Sequence, residues 1–208
     1  MYDAVVFDLD GTLIDSESLT QAAGLETFRS FGIEVEPEFL HSLIGVDDQT
    51  SSTVIKARFP QLDLVAYGTA WRTNVSRHWS QGVPLKPGTV ELLTAIRKPK
   101  ALVTSSTRWQ ADQKLDLTGL GIHFDHVVTF DDVTSPKPDP EPYLLAARLL
   151  GVTPKRCLAF EDSETGARSA HKAGMTVVQI PDIVPASGDF AHHVAEDLLA
   201  GARAAGLI

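Results

Sequence analysis

FDLDGTL, Phe7 to Leu13, follows the apolar run Ala4, Val5, Val6, and its reading decides how the rest of the chain is read. A short apolar run capped by two acids and a glycine predicts a buried parallel strand that ends in a turn, the place where open α/β sheets hold their ligands. Asp8 and Asp10 stand two apart. In extended backbone their carboxylates point to the same side, where like charges repel unless a cation lies between them, and a hard divalent ion meets that need. Gly11 permits a sharp turn with exposed N–H groups and Thr12 adds a hydroxyl, so the same turn can hold an anion beside the ion. Asp and Gly are equally the residues of an ordinary strand-ending turn, and the tetrapeptide alone does not separate the two readings.

Working outward, the 208 residues suit one or two domains with a real core, and 43% hydrophobic with 22% charged is the composition of a soluble globule. Eighteen basic against twenty-seven acidic residues give a net charge of -9, which repels a phosphate backbone and argues against nucleic acid as a partner. The N-terminus enters a strand without a basic segment and apolar h-region, and no apolar run reaches membrane-spanning length. The expectation is a cytoplasmic protein, monomeric and away from membranes. Cys157, the one cysteine, lies in the apolar run RCLAF and reads as a packed strand thiol.

After the first turn, Leu19, Ala22, Leu25 and Phe28 form a helical stripe that ends near Gly32. A short helix then starts at Pro37, with Phe39, Leu40, Leu43 and Ile44 as its apolar face and Gly45 as its C-cap. The polar stretch VDDQTSST reads as a loop. Beyond Pro60, Tyr67, Trp71, Val75 and Trp79 recur every four residues, the pattern of a longer amphipathic helix. From Pro87 the pattern alternates helix and strand, which predicts a parallel sheet with helices on both faces. Helices are expected at Gly88–Arg97, after Thr107 and stopping at Gly119, from Asp139 as N-cap through Leu149, at Glu164–Ala173 and at Ala191–Ala204. Strands are expected at Ala101–Thr104, Val127–Phe130, Arg156–Phe160 and, last, Thr176–Ile180. The fold class is therefore α/β, a Rossmann-like parallel core formed by residues 1–14 and 85–208, with an α-helical cap domain, residues 15–84, inserted after the first strand. Short linkers on either side would let such an insertion rock as a lid.

Three later strand ends carry chemistry. ALVTSST, 101–107, ends in the hydroxyls of Thr104, Ser105, Ser106 and Thr107 just before a helix, whose free N–H groups attract anions, although Ser and Thr are also ordinary helix caps. SPKPDPEPY, 135–143, sets Lys137 between two prolines on a stiff loop. AFEDSETGARSAHKAGM, 159–175, places Glu161 and Asp162 at another strand end ahead of a helix, where acids also serve as caps. His123 and His126 read as solvated loop histidines, and Asp131 and Asp132 as solvated acids that can line a rim.

Together FDLDGTL with the following IDSE, the ALVTSST hydroxyls, the KPxP segment and EDSxxG resemble, in order and over essentially the whole chain, the four motifs of the haloacid-dehalogenase-type phosphotransferases, in the branch of β-phosphoglucomutase and small sugar phosphatases. The resemblance implies Mg²⁺ held by Asp8, the backbone carbonyl of Asp10 and Asp162, with Glu161 just outside. It implies Asp8 as the nucleophile that forms an aspartyl-phosphate and Asp10 as general acid and base. Ser105, the Ser106 N–H and Lys137, the last followed by a cis bond to Pro138, would hold the phosphoryl group. Glu17, Asp47, Asp48 and Arg72 are the cap candidates for choosing among small phosphorylated metabolites. In β-phosphoglucomutases the segment matched by LIGVDDQTS carries an arginine that falls on Asp48, and a cap histidine falls on Thr20. Both departures favour a phosphatase of sugar or polyol phosphates over a phosphosugar mutase, and the presence of every chemical group disfavours a catalytically silent binding protein.

Overall fold

The computed structural model describes residues 1–43 and 48–208. By their internal packing these divide into two compact units, Met1–Asp15 with Pro84–Ile208, and Ser16–Val83.

The first unit is built on a six-stranded sheet, all of whose pairings are parallel. Its strands are β1 (Ala4–Phe7), β2 (Lys100–Val103), β3 (His126–Val128), β4 (Cys157–Glu161), β5 (Thr176–Gln179) and β6 (His193–Val194), in the order β3-β2-β1-β4-β5-β6. AVVF forms β1 because it is a run of apolar residues, two of them β-branched, buried on both faces, as a central parallel strand must be. Side chains alternate along it. Ala4 and Val6 join Ala101, Val103, Cys157, Ala159 and Val177 in one core with Tyr143, Ala146, Ala167 and Ala170, which come from helices α7 (Glu141–Leu149) and α8 (Glu164–Lys172). Phe7 points to the opposite face and stacks on Phe160, ring centroids 4.9 Å apart. On that face Gly201 of helix α9 (Leu198–Ala204) comes so close to Val178 that a Cβ would stand 2.5 Å from it. Cys157 is buried in β4, and burial pushes its thiol up to about 11, which fits a packed strand thiol.

The second unit is helical and lies in sequence between β1 and β2: α1 (Glu17–Ser30), α2 (Pro37–His41), α3 (Asp48–Arg58) and α4 (Leu64–Ser80). Its core gathers Phe28, Phe39, Ile55, Leu62 and Tyr67, with Phe31, Phe59 and Trp71 packed against them. The four-residue recurrence in α4 is seen as burial of Tyr67, Val75 and Trp79, and Asp63 caps the helix by accepting from Val65 N and Ala66 N. Helix α5 (Thr89–Ala95) returns the chain to the sheet. None of the described helices is long and apolar enough to cross a membrane.

Several local expectations change. The polar stretch VDDQTSST is not a loop throughout, since α3 begins at Asp48, while Gly45 and Asp47 lie outside the described residues. The last strand is β6, not Thr176–Ile180, and Ala191–Ala204 is not one helix: His193–Val194 extends the sheet edge before Asp197 caps α9 by accepting from Ala200 N. Helix α7 starts at Glu141, one residue beyond Pro140, although Asp139 Oδ1 still accepts from Glu141 N at 3.0 Å. His123 ends a 3₁₀ turn and His126 opens β3, both half-buried, so neither is a solvated loop residue.

Candidate active site

The sheet order reverses direction at β1. The chain runs outward from β1 through β2 to β3, then crosses to β4 on β1's other side, and such a switch point leaves a crevice at the carboxyl ends of the two central strands. Phe7 pairs with Phe160 in register, and Asp8 N donates to Phe160 O at 2.9 Å, so Asp8 and Glu161 leave the two strands side by side, with Asp162 next. Oxygens of Asp8, Glu161 and Asp162 lie within 4.8 Å of one another, all three side chains buried. Lys137 enters from the loop between β3 and α7, across a cis Lys137–Pro138 bond. Its Nζ donates to Asp8 Oδ1 at 2.7 Å, Glu161 Oε1 at 2.6 Å and Val103 O at 3.0 Å. Tyr143 closes the floor: its hydroxyl donates to Glu161 Oε1 at 2.5 Å, and its ring lies 5.3 Å below the Lys137 ammonium.

Burial, opposed by Lys137 and reinforced by Glu161 and Asp10, pushes the Asp8 carboxyl up to about 7. Burial would favour a neutral Lys137, but the Asp8 and Glu161 carboxylates outweigh it and raise the ammonium's pKa. Three carboxylates face one ammonium in a buried site, an excess of two negative charges when all three are ionised. Asp8 Oδ2 is buried with no hydrogen-bond donor among the described residues, whereas Glu161 is taken up by Lys137, Tyr143 and Ser163. The donor set is all oxygen, the surplus charge is that of a divalent ion, and Asp8 presents an open oxygen, so the cluster fits a hard cation held chiefly by Asp8 and Asp162.

Two glycines make room for these carboxylates. Gly11 has φ +82°, and a Cβ on it would stand 2.5 Å from Asp162 Oδ2. A Cβ on Gly166 would fall 2.0 Å from the Glu161 carboxyl carbon, which accounts physically for the glycine of EDSxxG. Thr12 Oγ1 donates to Asp162 Oδ1 at 3.3 Å and ties the two strand ends together.

Asp10 belongs to a different set of partners. Its Oδ2 accepts from Ser106 Oγ at 2.9 Å and Thr104 Oγ1 at 3.3 Å, and its Oδ1 accepts from Lys114 Nζ at 2.6 Å. The two aspartates of FDLDGTL are thus each matched to a lysine, Asp8 to Lys137 and Asp10 to Lys114. Among the hydroxyls of ALVTSST, the side chains that meet Asp10 are those of Thr104 and Ser106, while Ser105 is half-buried in the turn between them. Lys114, on helix α6 (Arg108–Thr118), and Tyr143 were not anticipated. The available signal for Lys114 was its phase: it shares the buried helix face of Gln110, Ala111 and Leu115. Asp131 and Asp132 are exposed, as expected of solvated acids, and they also anchor the start of α6. Asp131 accepts from Arg108 N at 2.7 Å, and Asp132 accepts from Thr129 N at 2.7 Å and from the Arg108 guanidinium at 2.5 Å.

Of the insert candidates, Glu17 opens α1 and is half-buried, Asp48 opens α3, and Arg72 is exposed on α4. Thr20 is turned inward along its own helix, its hydroxyl donating to Ser16 O at 2.8 Å. Arg58 lies over the Phe39 ring at 4.7 Å and Arg77 pairs with Glu26.

Comparison with known proteins agrees with this geometry. A family model described as haloacid dehalogenase-like hydrolase matches residues 5–180. The chain is 30% identical to a phosphorylated carbohydrates phosphatase of Thermotoga maritima, over 83% of this chain and 82% of the relative. It is 31% identical to a fructose-1-phosphate phosphatase of Escherichia coli, over 86% of this chain and 96% of the relative. Among solved structures, CbbY from Rhodobacter sphaeroides in complex with phosphate superposes with a TM-score of 0.82 at 26% identity, covering 95% of each chain.

Proposed function

The chain belongs to the haloacid dehalogenase-like hydrolase family, in its β-phosphoglucomutase and sugar phosphatase branch, and on that premise we propose that it is a Mg²⁺-dependent phosphatase of a small sugar or polyol phosphate. The observation that carries the reading is Asp8: a buried carboxylate with one oxygen held by Lys137 and the other without a donor, in the acidic cluster at the sheet's switch point. Asp8, the Asp10 carbonyl and Asp162 would hold Mg²⁺, which would supply positive charge against the phosphoryl oxygens.

The remaining work falls to the chain's own groups. Lys137 neutralises Asp8 and the incoming phosphate together, and Ser105 with the Ser106 N–H holds phosphoryl oxygens, which aligns phosphorus with the nucleophile. Asp8 attacks phosphorus, and the bond to the leaving oxygen breaks with its electron pair going to that oxygen, which takes a proton from Asp10. A water then gives its proton to Asp10 as it attacks the aspartyl-phosphate, releasing phosphate and restoring Asp8. Substrate choice is assigned to Glu17, Asp47, Asp48 and Arg72 of the insert.

Hydrolysis is favoured over isomerisation because a mutase must grip both ends of a bisphosphate and needs a cation for the distal one. The position matched for it holds the anion Asp48, and Arg58 and Arg77 are engaged within the insert by Phe39 and Glu26; Arg72, exposed on α4, is the cation that the mutase reading would have to use. The test is phosphate release from a panel of sugar and polyol phosphates with Mg²⁺ or with chelator, alongside β-glucose 1-phosphate with a trace of glucose 1,6-bisphosphate. Mg²⁺-dependent release from at least one panel member is expected. Glucose 6-phosphate forming faster than inorganic phosphate would overturn the phosphatase reading.

A further inference from the structure

Lys114 is a lysine on the inner face of α6, its side chain only 6% exposed, where the neighbouring buried positions are Gln110, Ala111 and Leu115. Burying an ammonium costs several kcal/mol unless it is paired and hydrogen-bonded, and a well-packed apolar residue is often at least as stabilising in such a place. The charge therefore calls for a reason beyond packing. Its ammonium is 2.6 Å from Asp10 Oδ1 and 2.9 Å from Ser106 Oγ, and Ser106 Oγ in turn donates to Asp10 Oδ2 at 2.9 Å. Lys114 and Ser106 thus engage both oxygens of the Asp10 carboxyl from two directions, and Thr104 adds a contact at 3.3 Å. A carboxyl gripped at both oxygens loses rotation about its last two torsions. The elements that supply the grip are the end of β2 and α6, and the start of α6 is itself fixed by Asp131 and by the Thr107–Gln110 capping box.

We propose that Lys114 is a positioning residue of the reaction: through Asp10, and together with Ser106, it fixes the direction in which the Asp10 carboxyl is presented to the leaving oxygen. The inference rests on the reading of Asp10 as the group that exchanges a proton with the leaving group. A misdirected carboxyl of that kind harms substrates whose leaving oxygen needs a proton and spares those whose leaving group departs as a stable anion. Lys114 would then matter for natural alkyl phosphates and far less for an activated aryl phosphate.

The experiment is single-turnover release of the leaving alcohol from two substrates, the sugar phosphate that the protein hydrolyses fastest and 4-nitrophenyl phosphate. It is run with wild type, Lys114→Met, Lys114→Arg, Ser106→Ala, Asp10→Asn and the Asp10→Asn/Lys114→Met double variant. Lys114→Met is expected to slow the sugar phosphate roughly 10-fold or more while changing the aryl phosphate less than about 3-fold. Lys114→Arg should recover part of the loss, and Ser106→Ala should show the same leaving-group bias at smaller size. In the double variant Lys114→Met should add nothing to Asp10→Asn, since its effect passes through Asp10. Equal loss on both substrates, or a full further loss in the double variant, would assign Lys114 to folding alone and end the proposal. If Lys114→Met does not fold, Lys114→Arg and Ser106→Ala decide it by the same bias. Should Asp10→Asn itself show no leaving-group bias, the reading of Asp10 fails. If Asp10→Asn shows the bias and the Lys114 variants do not, only the present inference fails.

Discussion

Gly166 carries no side chain because the Glu161 carboxyl occupies the space a Cβ would need, 2.0 Å away. Glu161 cannot swing aside freely, since it is fully buried and holds Lys137 and Tyr143. Gly166→Ala is therefore expected to cost about 1–3 kcal/mol of stability, the usual price of overpacking. Urea unfolding of the two proteins measures it, and an unchanged midpoint would mean that Glu161 has room the structure does not give it. At this scale Asp8, Lys137, Glu161 and Asp162 were legible because each ends an apolar run or sits in a stiff proline loop, so chain order alone carries them to the sheet's edge. Lys114 and Tyr143 were not, because a lysine or tyrosine on a helix has no partner until the helix is placed against the sheet. The contacts of Thr104 and Ser106 with Asp10 were illegible in the same way: which hydroxyl of four consecutive ones meets Asp10 depends on where β2 ends, and it ends at Val103, one residue earlier than expected.

At the scale of elements, the start of α6 hangs on two exposed acids, Asp131 and Asp132. Burial works against an ionised Asp132, but the Thr129 N–H and hydroxyl and then the Arg108 guanidinium outweigh it and hold the carboxyl below its ordinary value of 3.8. A depressed folded-state value means that the contribution to stability is complete above that ordinary value and is lost as pH falls through the lower, folded one. Asp132→Ala is thus expected to destabilise by roughly 1 kcal/mol at pH 7, the usual cost of losing a capping side chain. The gap from wild type should close as the pH drops below that ordinary carboxylate value, as thermal or urea unfolding across pH would record. A gap that stays constant into acid would show the loss to be one of packing. Long elements with a clear period were readable, α4 above all, whose tyrosine, valine and tryptophan spacing matches one buried face. The strand β6 was not, because two residues, His193 and Val194, at the edge of a sheet have no period to read and sit in an alanine-rich stretch that looks helical.

For the whole molecule the site's charge is the governing quantity. Ionising all three carboxylates of the buried cluster is opposed until a divalent ion balances them, and an ion that binds only the folded chain stabilises it by about 2.7 kcal/mol at a hundred times its Kd. Saturating Mg²⁺ is accordingly expected to raise Tm by several degrees in wild type and to leave Asp162→Asn nearly unmoved. Equal shifts in both proteins would place the ion elsewhere. The division into a sheet-based unit and a helical insert was legible from the change of period near Pro87, since a chain cannot alternate strand and helix with one rhythm and run helix after helix with another inside a single layer. The central claim, that Asp8 carries the phosphoryl group during hydrolysis, is tested most directly by peptide mass spectrometry of protein quenched in acid during turnover with Mg²⁺. Wild type and Asp10→Asn, in which breakdown of the intermediate should be slow, are each quenched with the sugar phosphate that wild type hydrolyses fastest. One added phosphoryl group is expected on the peptide that contains Asp8, and none in Asp8→Asn, which should also release no phosphate above background. Sustained phosphate release by Asp8→Asn, or a phosphoryl group found on a different peptide, would contradict it.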